Sequence, residues 1–162
     1  MKHAHSAHAP TSHASPHYRH LLIMLVLSFA AMFALMYSMV NSFANVYGNV
    51  NQVYMAALMS APMAAIEIAV MRAMYRDRRM NAVFLVGAMV VGVGSWSLIR
   101  QQTGVSDRQF LRSMIPHHAS ALLMCEKAPI EDADIKQLCG NIMLGQQAEI
   151  DLMKAKLDTL SK

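Results

Sequence analysis

Acidic side chains are sparse in this chain of 162 residues, 10 in all against 14 Lys and Arg, and no Glu-x-x-His pair occurs in its carboxyl-terminal third. That absence excludes a di-iron oxidase on a helical bundle, which needs several inward carboxylates and such pairs. Gly-rich phosphate loops and nucleophile elbows are missing too, so the chain is not expected to be an enzyme. No segment joins aromatic and basic residues as nucleic-acid binders do; the net charge of +4 therefore needs another explanation, and no nucleic-acid partner is expected. With 2 cysteines, a single disulfide is the most the chain can form.

Apolar residues are abundant instead, at 55% of the chain, with a mean hydropathy of +0.29. Three runs account for this. Residues 20–40 contain no Asp, Glu, Lys or Arg; residues 53–75 are interrupted by Glu67 and Arg72; residues 82–99 carry no charge. Each is long enough to cross a hydrocarbon core of about 30 Å, which makes membrane lipid the expected surroundings of residues 20–100. The first run exceeds a signal core and ends without a small-residue cleavage pattern, so it reads as a retained span. The link after it is uncharged, whereas Arg72, Arg76, Arg78 and Arg79 cluster between the second and third runs. Basic residues stay on the cytoplasmic side. The expected place is thus a bacterial inner membrane, with the N-terminus cytoplasmic and the segment after the third span in the periplasm. The same basic link accounts for the positive charge.

Residues 104–162 read as two amphipathic helices. At about 100° per residue, Phe110, Leu111, Met114, His117, His118, Ala121 and Cys125 share one side of a helix starting near Asp107, with Ser106 and Gln109 as its capping box. The same arithmetic aligns Ile135, Cys139, Ile142, Met143, Gln146, Glu149, Ile150, Met153 and Leu157. Pro129 resists helix continuation and Asp132 suits an N-cap, so a short turn should make an antiparallel hairpin. Counting outward from Cys125 opposite Cys139 sets His118 near Gln146, Met114 near Glu149 and Ile150, and Leu111 near Met153. Pro116 removes the amide that would bond the Arg112 carbonyl, and a kink is expected there, splaying the paired histidines.

Met114, His117, His118, Glu149 and Met153 are accordingly the candidate metal ligands. Thioethers with imidazoles favour copper, particularly Cu(I); zinc is less suited, and hard ions would want more carboxylates than Glu149 provides. The plainer reading is that the methionines fill a helix seam and the histidines are solvated. Cys125 and Cys139 either form a disulfide or supply thiolates to the metal. Their position at the mouth of the turn favours the disulfide, closing a loop of about 15 residues worth about 3 kcal/mol.

The string Met114-Ile115-Pro116-His117-His118, with Asp107, Phe110, Leu111, Ala121 and Met124 around it and Gln147, Glu149, Ile150 and Met153 downstream, resembles the family called domain of unknown function 305 over residues 106–160. The resemblance implies a ferritin-like helical module, exported in many members and linked in some to copper handling. It implies no catalytic reaction. Fuller members carry two such hairpins, so a homodimer would complete a four-helix bundle here. The expected fold class is all-α: three transmembrane helices followed by an extramembrane antiparallel hairpin, a ferritin-like half-bundle.

Two further features could bear on metal. Residues 1–19 form a His-rich tail with His3, His5, His8, His13 and His17, followed by His20; it lacks the apolar content to fold alone and could gather divalent metals or only tune charge. In the second run Met55, Met59, Met63, Glu67 and Met71 recur every four residues over about 24 Å. A carboxylate at membrane depth is a functional candidate by default, although methionine rows also pack helices. Met55 and Met59 are similarly spaced to the Met-x-x-x-Met of Ctr-type copper importers, the rival reading. Those importers have the opposite orientation and a Gly-x-x-x-Gly in the third span that Gly87, Gly92 and Gly94 do not supply; Ala88 and Gly92 could still let helices pack closely. A third reading is a metal-free membrane adaptor or dimerisation module.

Overall fold

The computed structural model describes residues 16–160, and every regular element among them is helical. Helix α1 (Pro16–Leu35) runs into two short 3-10 turns, Met36–Met39 and Phe43–Asn45; α2 (Val50–Val70), α3 (Arg78–Gln101), α4 (Asp107–Lys127) and α5 (Ala133–Thr159) follow. The boundaries trace to local chemistry. Asn49 caps α2 by accepting from the Gln52 amide, Asp77 caps α3 through the amides of Arg79 and Met80, Ser106 caps α4 through Gln109, and Asp132 caps α5 through Ile135. Gln102 and Gly104 take positive φ, 50° and 75°, turning the chain between α3 and α4.

Three helices are long and apolar enough to cross a membrane. α2 has 21 residues and so extends about 32 Å, enough for a hydrocarbon core of about 30 Å, and the first span reaches 24 residues by running on through the 3-10 turn to Met39. Leu27, Val70, Val83, Met89, Val90 and Val93 are each at least 60% exposed, an apolar surface suited to lipid rather than water. Small side chains let the spans approach: Ala56, Ser60, Ala61 and Ala64 of α2 are buried, a Cβ on Gly92 of α3 would stand 3.4 Å from that of Ala61, and the Ser60 hydroxyl lies 3.6 Å from Met32 Sδ of α1.

The second span differs from its expected range of 53–75, because α2 ends at Val70. Tyr75 is instead turned inward against Tyr18, ring centroids 5.3 Å apart. The Tyr18 hydroxyl donates to the Asp77 carbonyl and to Asn81 Oδ1, and Asn81 Nδ2 donates to the Tyr75 carbonyl. This polar knot, with Leu21 and Ile68 packed beside it, closes the end of the spans that carries the basic link. Glu67 consequently lies in the last turn of α2, and its carboxylate accepts from the Tyr75 hydroxyl at 3.4 Å, rather than standing at mid-membrane.

At the opposite end the hairpin of α4 and α5 meets the chain between α1 and α2. Ile115, Ala119, Leu122, Ile150, Met153 and Leu157 form its core, and Val40 and Tyr47 from the α1–α2 link pack onto that core. Cys125 and Cys139 are joined in a disulfide at the turn, Cα atoms 5.3 Å apart, so the thiolate reading does not hold.

Candidate metal site

Pro116 organises the surroundings of the histidines. α4 runs as one helix through it. The Arg112 carbonyl that Pro116 leaves without a helical donor is approached by Asn49 Nδ2 at 3.5 Å, and the Val50 amide donates to Gln109 Oε1 at 3.2 Å. The missing helical hydrogen bond is thus replaced by a link from the hairpin to the start of α2. One face of α4 is thereby held against the α1–α2 link.

Between them lies an open cleft of about 350 Å³. Met114 and His117 form its hairpin wall; Met36, Met39 and Met55 form the wall on the side of the spans. The remainder is neutral, with Asn49, Asn51, Gln52, Ser113 and Ser120 supplying amides and hydroxyls and no carboxylate among the lining residues. Consecutive residues point about 100° apart on a helix, so His118 faces elsewhere. Its ring centroid is 6.0 Å from that of His117, and its Nδ1 lies 3.1 Å from Glu149 Oε2, close enough for an ion pair yet outside hydrogen-bond geometry.

Burial holds the His118 imidazole below its ordinary pKa; the Glu149 carboxylate pulls it up and His117 pushes it further down, and burial dominates. A ring held neutral by burial keeps one nitrogen lone pair with which to meet a metal.

The five residues expected to form one site are therefore divided. Met114 and His117 line the cleft, His118 and Glu149 pair on a flank, and Met153, 9% exposed, belongs to the hairpin core with Met114 packed against it. Glu149 meets His118 rather than Met114 because helical side chains lean toward their own N-terminus, which in an antiparallel pair carries Glu149 along α4 toward Cys125. Of the methionine row, only Met55 lines the cleft; Met59 is 45% exposed and Met63 half-buried along α2. His17 and His20 sit in the first turns of α1, beside the polar knot and away from the cleft, and His3, His5, His8 and His13 lie outside the described residues. Among the described residues no three His, Cys, Asp or Glu side chains come together, so a metal held here would depend on thioethers. Sequence reading missed Met36 and Met39, since both continue an apolar run; their spacing just before the uncharged link was the available signal.

A disulfide-clipped helical hairpin set on three membrane-length helices is the architecture to be placed among known proteins. The chain belongs to the family described as Domain of unknown function (DUF305), whose model matches residues 51–157. That match begins in α2 and so takes in the last two spans as well as the hairpin, extending beyond the segment 106–160 that carried the resemblance. An uncharacterized protein of Acanthamoeba polyphaga mimivirus is 42% identical over 62 residues, which are 37% of this chain and 41% of that relative. The chain thus matches about two fifths of the viral protein's length. No solved structure matches.

Proposed function

We propose that this is a multi-pass membrane protein whose hairpin stands in the periplasm, at the bacterial inner membrane, and binds copper in the service of copper homeostasis. The observation that carries the reading is the shared outlook of Met114 and His117, a thioether and an imidazole opening into one cleft free of carboxylates. Such donors suit a soft cation and not calcium or magnesium. Arg72, Arg76, Arg78 and Arg79 at the other end of the spans support a cytoplasmic position for that end. The Ser113 and Ser120 hydroxyls of the cleft donate to backbone carbonyls of α4 and not to the His117 ring, which supports a binding protein rather than an enzyme. Exposed Leu144 and Leu152 on α5, 77% and 69% accessible, support a homodimer that pairs two hairpins.

Copper content decides between this reading and a metal-free adaptor. Full-length protein purified in detergent after growth with copper should hold less metal as the double variant Met114→Leu, His117→Gln than as wild type, with the histidine tail present in both. Equal copper in the two would overturn the proposal, and a change confined to subunit assembly would favour the adaptor.

A further inference from the structure

The cleft draws its walls from both halves of the molecule, and neither half alone presents the whole set of soft donors. We infer that Met36, Met39 and Met55 of the spans and Met114 and His117 of the hairpin form one composite site for a soft monovalent cation, Cu(I) foremost. The inference rests on the copper reading above and assigns its ligands to both halves.

Donor chemistry is the first support. Thioethers are neutral and polarisable, and the cleft adds only amides, hydroxyls and apolar groups. A divalent ion would leave two positive charges uncompensated there, whereas a monovalent ion leaves one and finds the sulfur it prefers. The cysteines are not available as competing thiolates, being bonded to each other. Geometry is the second. The two walls are held together by groups that are not the ligands: Asn49 on the Arg112 carbonyl, the Val50 amide on Gln109, and Val40 and Tyr47 on the hairpin core. The cleft therefore exists before the ion arrives. Methionine's unbranched side chain lets the sulfurs converge without moving the helices. Met39 and Met55, 48% and 39% exposed, keep the site open to an incoming ion.

Silver(I) is the probe, because it stays monovalent without a reductant that would cleave the disulfide. In full-length protein carrying labelled methionine methyl groups, the signals of Met36, Met39, Met55 and Met114 should shift together and saturate together. The triple variant Met36→Leu, Met39→Leu, Met55→Leu conserves volume. It should weaken the response at Met114 on the order of 100-fold, as removal of pre-positioned donors implies. An unchanged signal from buried Met153 reports that the hairpin core is intact in that variant. If Met114 binds silver as tightly in the triple variant as in wild type, the composite site is refuted while the hairpin reading survives. If none of the four signals moves in the wild type, both fall. Zinc(II) producing the same shifts at the same concentration would overturn the assignment to a soft monovalent ion.

Discussion

Asn49 concentrates several tasks in one side chain. Its Oδ1 accepts from the Gln52 amide at 3.0 Å and caps α2, while Nδ2 lies within reach of the Tyr47 carbonyl, Gln52 Oε1 and the Arg112 carbonyl. Asn49→Ala should cost about 1–3 kcal/mol, combining a lost cap with an unpaired carbonyl beside Pro116. Faster hydrogen exchange both at the start of α2 and around Arg112 would register it; a change at α2 alone would mean that the contact to α4 contributes nothing. His118 gives a pH dependence of definite sign. Its pKa in the folded chain is below the ordinary 6.5, so the unfolded chain takes up the proton first as pH falls. Its contribution is constant well above pH 6.5 and is lost as pH drops through the folded value. In metal-free protein, hairpin amides should exchange faster at pH 5 than at pH 7.5 after correction for intrinsic rates, and His118→Gln should reduce that difference. An identical pH response in the variant would remove His118 as its source.

The elements were readable to differing degrees. The caps at Ser106 and Asp132 and the turn at Pro129 define α4 and α5 through local chemistry that survives in any context. The end of α2 was not readable: nothing between Val70 and Tyr75 is a Gly or Pro, and the helix stops because Tyr75 is taken up by Tyr18 and Asn81, residues distant in sequence. The disulfide acts at this scale too. Cys125 and Cys139 close a 14-residue separation, worth about 3 kcal/mol to the hairpin on chain entropy. Reduction in detergent should therefore accelerate exchange in α4 and α5 by about two orders of magnitude and leave α3 unchanged. No acceleration would mean that helix packing alone sets hairpin stability.

For the whole molecule, orientation is the property on which location depends. The basic link and the hairpin lie at opposite ends of the spans. A reporter enzyme active only in the periplasm, fused after Lys162, should be active, and one fused within the basic link should be silent. The reverse pattern would place the hairpin in the cytoplasm and return weight to an importer.

Three apolar spans, an amphipathic hairpin and the residue types able to hold a soft ion are written into the order of residues, because hydropathy, helical period and capping are local properties. Which of those residues meet depends on how the helices pack. Met153 was taken into a core, His118 was turned to Glu149, and Met36 and Met39 were brought to the cleft of Met114 and His117. The physical reason is that the link between α1 and α2 docks on α4 where Pro116 leaves a carbonyl without a helical donor, a contact between residues 63 positions apart that no window along the chain contains.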